Sequence, residues 1–288
     1  MNKTINYKTK TKFIKRILKQ ENIKELEKQS VISKLSFKKK TYADVYFHQG
    51  ELDNEAIENI QNTKKIIVNS NTLKEKLLSK IDISEEKIEV IYPPIDVKYK
   101  KPKEVKKEFC EKYEIDPTKE LIFFTAKNMK TSGLKEFINI VINLNYKYKM
   151  AVIAGDKKQI YNLKFQLKKY DLGDKLLLVE DYENMDDLFL ASDVFLLPTY
   201  NTNFAPNILR AMYCKCAVFT TVNNTACEVV DVYSTMSTPE DGSMQFKLDA
   251  LLHNKADLKL IKNQNRDIAK KYTLDKALEK FNKILEDI

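Results

Sequence analysis

Val194-Phe-Leu-Leu197, Pro206-Asn-Ile-Leu-Arg-Ala-Met-Tyr213 and Ala217-Val-Phe-Thr-Thr221 read as a strand, a helix and a strand, and this stretch decides the fold. Both outer runs are nearly all apolar or β-branched, as strands covered on both faces must be. Upstream the alternation continues: helix Val105–Tyr113, strand Leu121–Thr125, helix Leu134–Leu144, strand Met150–Ala154, helix Ile160–Tyr170, strand Lys175–Val179, helix Met185–Ala191. No Asn-Gly or Asp-Gly hairpin signal interrupts it, and Asp241-Gly242 lies before a helix. Downstream follow helices Gly242–His253, Leu258–Tyr272 and Leu274–Ile288. From about Lys119 onward the chain is therefore an α/β domain with a parallel sheet, whose ligand belongs outside the carboxyl ends of the strands.

Before that domain the pattern is thinner. Ile14, Ile17, Leu18 and later Val31, Ile32, Leu35 recur at helical spacing among basic residues, which predicts one or two amphipathic helices. Ala43–Phe47, Lys65–Val68 and Lys87–Tyr92 read as short strands, with Asn71-Thr72 capping a helix Leu73–Ile81. Lys98–Lys107 reads as an exposed connector. The boundary is set there, giving a region 1–97 and a domain 98–288 that includes the C-terminal helices of 242–288.

The net charge of +9 is concentrated: residues 1–40 hold thirteen Lys/Arg against Glu21, Glu25 and Glu27, so they carry +10 and the rest is about neutral. Such a patch suits an anionic partner, a bilayer surface above all. Nucleic acid is set aside, because Phe13 and Phe37 are the only ring donors between Lys10 and Lys40. The plain alternative is a lysine-rich composition throughout. No apolar run approaches the ~20 residues of a membrane span, and Met1–Lys12 does not read as a signal peptide. The expected location is the cytoplasm, with attachment to the inner face of the plasma membrane.

Cys110, Cys214, Cys216 and Cys227 lack zinc-site spacing, and His48 and His253 are far apart, so neither metal nor cofactor is expected. His48 is read as structural or exposed, and Asp181, Glu183, Asp186 and Asp187 as the cap of the helix near Met185. Four strand-to-helix loops, 126–133, 155–158, 180–183 and 199–206, meet at the carboxyl edge. They supply Lys127, Lys130, Lys157, Lys158 and helix-start N–H groups, an arrangement suited to phosphate oxygens.

Here the sequence resembles the retaining glycosyltransferases of family 4, which have the two-domain GT-B fold. The resemblance lies in Lys65-Ile-Ile-Val-Asn-Ser-Asn71 with Glu86-Lys-Ile-Glu-Val-Ile-Tyr-Pro-Pro-Ile-Asp96, in Phe124-Thr-Ala-Lys-Asn-Met-Lys-Thr-Ser-Gly133 and in Ala154-Gly-Asp156. It is most specific in Ala191-Ser-Asp-Val-Phe-Leu-Leu-Pro198 followed by Asn203-Phe-Ala-Pro-Asn-Ile-Leu-Arg-Ala-Met-Tyr-Cys-Lys-Cys-Ala-Val218. It implies a complete Rossmann-like donor domain and metal-independent transfer of a sugar from a nucleotide-sugar substrate. The acceptor would be a lipid-linked or cell-envelope glycan, bound mainly by the N-terminal domain.

The donor residues so implied are Lys127, Lys130, Gly155, Val179, Glu180, Asn203, Phe204, Ala205, Asn207 and Arg210. The catalytic group is left unassigned. Several positions depart from the family pattern. Its paired glutamates fall at Thr202 and Arg210, its loop lysine at Ser132, and its glycines at Ala205, Lys215 and Asn224-Thr225. With only 64 residues before Lys65, the N-terminal acceptor domain reads as incomplete, reduced to basic helices or completed by a partner chain. A non-catalytic relative that binds a partner or nucleotide is therefore the second reading. A nucleotide-sugar isomerase of the same fold is the third, since its paired acids and histidine are not evident.

Overall fold

The computed structural model describes residues 2–27, 40–167, 172 and 175–288. They form two compact units, Met1–Pro94 with Tyr272–Ile288, and Ile95–Lys271.

The first unit is built from β1 Lys3–Tyr7, α1 Lys12–Ile17, β2 Ile23–Glu25, β3 Val45–Phe47, α2 Asn54–Asn62, β4 Lys65–Val68, α3 Asn71–Lys80 and β5 Ile88–Val90. Its strands pair in parallel in the order β2-β1-β3-β4-β5. The region expected to hold basic helices and three short strands carries a five-stranded parallel sheet, with β3, β4 and β5 at the expected strands. β1 and β2 escape a pattern search because they are short and mostly polar. Only Ile5 of β1 and Ile23 of β2 are fully buried. α1 forms where a helix was expected, with Thr11 as its cap. Its apolar face is not free, however: Phe13, Ile14 and Ile17 are buried. The second expected helix, around Val31 to Leu35, lies outside the described residues. Ser70, not Asn71, caps α3.

The second unit runs α4 Pro102–Lys112, β6 Glu120–Phe124, α5 Leu134–Asn143, β7 Lys149–Gly155, α6 Lys157–Leu167, β8 Leu176–Glu180, α7 Met185–Ala191, β9 Val194–Leu197, α8 Pro206–Tyr213, β10 Ala217–Thr221, β11 Thr235–Met236, α9 Ser243–His253 and α10 Lys255–Ala269. All six strands are parallel, in the order β11-β10-β9-β6-β7-β8. β6, β9 and β10 are buried at every position, which explains why their sequences show no alternation. From β6 the chain winds to one side through β7 and β8, then crosses back to lay β9, β10 and β11 on the other. The topological switch point therefore lies between β6 and β9, where Ile122 pairs with Val194 and Phe123 with Phe195.

The last helix, α11 Leu274–Glu286, corrects the expected boundary. It belongs to the first unit, not the second. Ala277, Phe281, Ile284 and Leu285 join the core of Ile5, Phe13, Val45 and Phe47, with Phe13 edge-on to Phe281 at 6.1–6.2 Å spacing like its contact with Phe47. The amphipathic pattern showed that this face is buried but not against what.

Asp193, at the entry to β9, ties the amino edge of the second sheet together. Its backbone N–H donates to the Leu121 carbonyl (2.9 Å), and its carboxylate accepts from the Leu121 N–H (3.0 Å). Lys106 of α4 (2.7 Å) and Lys262 of α10 (2.6 Å) neutralise it. The adjacent Glu120 takes Lys255 and Lys106.

α8 ends in a Schellman turn: the Cys216 N–H donates to the Ala211 carbonyl (2.9 Å) and the Lys215 N–H to that of Met212 (3.1 Å). Lys215 consequently sits at φ +65°, the left-handed region in which a side chain is strained. Lys215→Gly is expected to stabilise the protein by about 0.5–1 kcal/mol, the relieved strain exceeding the added freedom of the unfolded chain. Urea unfolding of the two proteins checks this, and a lower midpoint for the variant would contradict it.

Candidate functional site

At the switch point the loop after β6 and the loop after β9 lean on each other. Gly133, the N-terminal flanking residue of α5, has φ +82°, and a Cβ there would lie 1.6 Å from the Pro198 carbonyl oxygen. The Tyr200 N–H donates to the Thr131 carbonyl (3.1 Å), and the Asn201 amide to the Ser132 hydroxyl (3.2 Å). Ser132 thus serves as a tie between loops and offers no cation. Gly133→Ala combines a left-handed Ala with backbone overlap and is expected to cost about 2–4 kcal/mol. Its thermal unfolding checks this: a melting temperature equal to wild type would show that the two loops can part freely.

Gln159 joins the second pair of loops. Its side-chain amide donates to the carbonyls of Ala126 (3.3 Å) and Lys127 (3.0 Å), and its oxygen accepts from the Asp156 N–H (3.0 Å). Gly155 makes room for this link, since a Cβ would fall 2.4 Å from Met129 Cε and 2.7 Å from Gln159 Oε1. Asp181, at φ +45°, donates its N–H to the Gly155 carbonyl (3.0 Å). Lys127 and Lys130 are exposed, and neither side chain has an ion-pair partner among the described residues. Val179 is buried within β8, so only its backbone faces the carboxyl edge, while Glu180 is exposed and pairs with Lys164 (3.4 Å).

Asn224 organises the loop that holds the remaining candidates. Fully buried, it donates to the carbonyls of Asn201 (2.8 Å) and Asn203 (2.7 Å), and it accepts from the N–H groups of Ala205 (3.2 Å) and Ala226 (3.0 Å). Its φ of −81° needs no glycine. A replaced family glycine is thus a structural anchor here, a role that sequence alone gave no signal to identify. Phe204 is buried and Asn203 exposed. The expected row of free amides ahead of Ile208 is shorter than sequence suggests. Pro206 has no N–H, Ala205 donates to Asn224 and Ile208 donates to the Ala205 carbonyl, which leaves the N–H of Asn207.

Arg210 is engaged by a carboxylate of the neighbouring helix. Its guanidinium pairs with Asp186 of α7 and lies over the Phe189 ring, 4.9 Å from the centroid. Asp186 is therefore a countercharge as well as a first-turn acid of a helix capped by Asn184. Tyr200 was not singled out by sequence. Its hydroxyl lies against both Glu136 (2.9 Å) and Glu240, and these carboxylates push its pKa well up. One hydroxyl proton serves two acceptors, so this contact clips the loop after β9 to the one after β11.

Other reactive side chains lie outside this edge. Burial pushes the Cys214 thiol up to about 12, far from thiolate chemistry at neutral pH. His48 belongs to the first unit, fully enclosed, and burial lowers its pKa to about 4. Among the described residues no group of three or more His, Cys, Asp or Glu is placed to hold a metal ion, and no helix is long and apolar enough to cross a membrane.

Residues 105–274 match the family described as glycosyl transferases group 1. Similar solved structures include a glycosyltransferase from Rickettsia africae, with TM-score 0.72, 16% identity, 98% of this chain and 89% of that one covered. HepE from Anabaena, in complex with UDP and glucose, gives TM-score 0.70 and 15% identity over 85% of this chain and 71% of its own. WaaG, a glycosyltransferase involved in lipopolysaccharide biosynthesis, gives TM-score 0.65 and 14% identity over 97% and 85%. These likenesses show the GT-B-like fold. No curated protein sequence matches the chain.

Proposed function

The chain belongs to the group 1 glycosyl transferases, and from that membership we propose that it transfers a sugar from a nucleotide-sugar donor to a lipid-linked or cell-envelope glycan, with retention as in family 4. The observation that supports this reading is the switch point between β6 and β9 in the second unit. Lys127 and Lys130, exposed and without an ion-pair partner among the described residues, follow β6, and Asn207 opens the helix that follows β9.

In this mechanism the departing diphosphate develops negative charge as the glycosidic bond breaks. Lysine side chains on the loop after β6 supply the cations that a metal would otherwise provide. Asn203 and Asn207 offer amides to sugar and ribose hydroxyls, and the backbone at Val179–Glu180 reads the base. Arg210 cannot accept hydrogen bonds from a ribose, because a guanidinium only donates. The acceptor falls to the first unit, at the inner face of the membrane. That HepE was solved with UDP and glucose supports the choice of donor class.

A second reading, a non-catalytic relative that binds nucleotide or a partner, is favoured by one observation. Both family carboxylates are absent, at Thr202 and Arg210, and the latter is already engaged by Asp186. Titration calorimetry with a panel of nucleoside diphosphates, followed by hydrolysis assays on the corresponding nucleotide sugars, decides between them. Binding with turnover supports the transferase. Binding without turnover supports the relative, and no binding of any nucleotide ends both donor readings.

A further inference from the structure

We propose that the side-chain hydroxyl of Thr225 binds a hydroxyl group of the donor's sugar and takes part in selecting it, an inference that rests on the nucleotide-sugar reading above. Around the loop after β10 the neighbouring buried polar side chains find partners inside the protein. The Thr220 hydroxyl donates to the Leu197 carbonyl (3.2 Å) and that of Thr221 to the Thr199 carbonyl (2.7 Å), while Asn224 serves four backbone groups. Thr225 is the exception. Its hydroxyl oxygen is enclosed, and among the described residues of the second unit it is the one buried side-chain nitrogen or oxygen without a hydrogen-bond partner. A hydroxyl shut away from water without a partner is a cost to the fold, and a ligand hydroxyl that completes the bond offsets it.

The place of Thr225 selects the sugar as its partner. With the base at Val179–Glu180 after β8, and the diphosphate by the loop after β6 and the start of α8 after β9, the strand order β10-β9-β6-β7-β8 leaves the β10 end for the sugar. There the Thr225 N–H donates to the Thr202 carbonyl (3.0 Å), and the Asn224 amide donates to the Asn203 carbonyl (2.7 Å), so the loop after β10 lies against the one that carries Asn203. Thr225 as a whole is only half-buried, and one step of its side chain between staggered positions turns the oxygen outward. The hydroxyl can both donate and accept, as a sugar hydroxyl does. The family pattern has glycine at Asn224-Thr225, and a glycine brings no hydroxyl. Asn224 uses its amide to hold the loops together, whereas the folded protein alone gives the Thr225 hydroxyl no such task.

The test is calorimetry on the full chain with UDP, GDP, ADP and dTDP, each beside its glucose ester. Wild type is compared with Thr225→Val, which keeps the shape of the side chain and removes the hydroxyl. The variant is expected to bind the preferred nucleoside diphosphate as wild type does and its sugar ester about fivefold more weakly, the scale of one neutral hydrogen bond. Its melting temperature is expected to equal or exceed that of wild type, because no internal bond is lost. Thr225→Ser, which restores a hydroxyl, is expected to recover the affinity for the ester. If wild type binds a nucleoside diphosphate but not its ester, or if Thr225→Val leaves the affinity for the ester unchanged, this inference falls while the nucleotide site stands. A variant that melts lower with that affinity unchanged assigns the hydroxyl to a structural water and overturns the inference as well. No binding of any of these compounds overturns the donor reading and this inference with it.

Discussion

Asp193→Ala is expected to lower the unfolding free energy by about 3–5 kcal/mol, the scale of removing one partner from a buried ionic cluster. The carboxylate is almost fully enclosed, and burial alone would raise its pKa. Lys262 and Lys106 reverse this and hold it well below the usual carboxylate range. Truncation strands Lys262 and the Leu121 N–H and leaves Lys106 with Glu120 alone, in a site with little water. Because the folded pKa is depressed, the contribution of Asp193 is complete above the unfolded pKa of about 4 and is lost as pH falls below it. Glu120 runs the other way. Burial and its neighbour Asp193 raise its pKa, so its ionisation opposes folding as pH rises above its ordinary range. Urea unfolding at neutral and acidic pH measures both effects: the gap between wild type and variant should shrink on acidification. A constant gap would show that Asp193 acts through its backbone bonds alone.

The double variant Lys127→Ala, Lys130→Ala is expected to lose nucleoside diphosphate affinity by roughly 100-fold or more. Each charge-assisted contact is worth about 1.5–3 kcal/mol, reduced somewhat by solvent at these exposed positions. Their freedom from internal ion pairs means that no folded-state contact is lost with them, so thermal stability should hold. Calorimetry on the two proteins is the check, and an unchanged dissociation constant would remove both residues from the donor site. Restoring charge as arginine should recover part of the affinity, since a guanidinium also donates to phosphate oxygens.

The second sheet was legible because burial on both faces leaves an unbroken apolar run in β6, β9 and β10, and helices between them force parallel pairing. The first sheet was less so. β1 reads Lys-Thr-Ile-Asn-Tyr, in which a single enclosed isoleucine does the work of a strand, and β2 is three residues long. Lys127 and Lys130 could be placed on the loop after β6 from the sequence alone. The scaffolding around them could not: Gln159, Asn224 and Tyr200 act across loops 20 to 70 residues apart, and Arg210 finds Asp186 at a separation of 24. Polar residues in loops carry no periodicity that would announce such partners.

The return of α11 to the first unit fixes an order of events during synthesis. The second unit is continuous in sequence and can complete its core as soon as Lys271 has left the ribosome. The first unit emerges earlier, yet Phe13 and Phe47 have no Phe281 to close over them until the whole second unit has been translated. Throughout that interval the nascent chain presents an unroofed aromatic surface on one side of a short-stranded sheet. Such a surface makes the N-terminal part of the first unit the portion of the protein most exposed to aggregation while it waits.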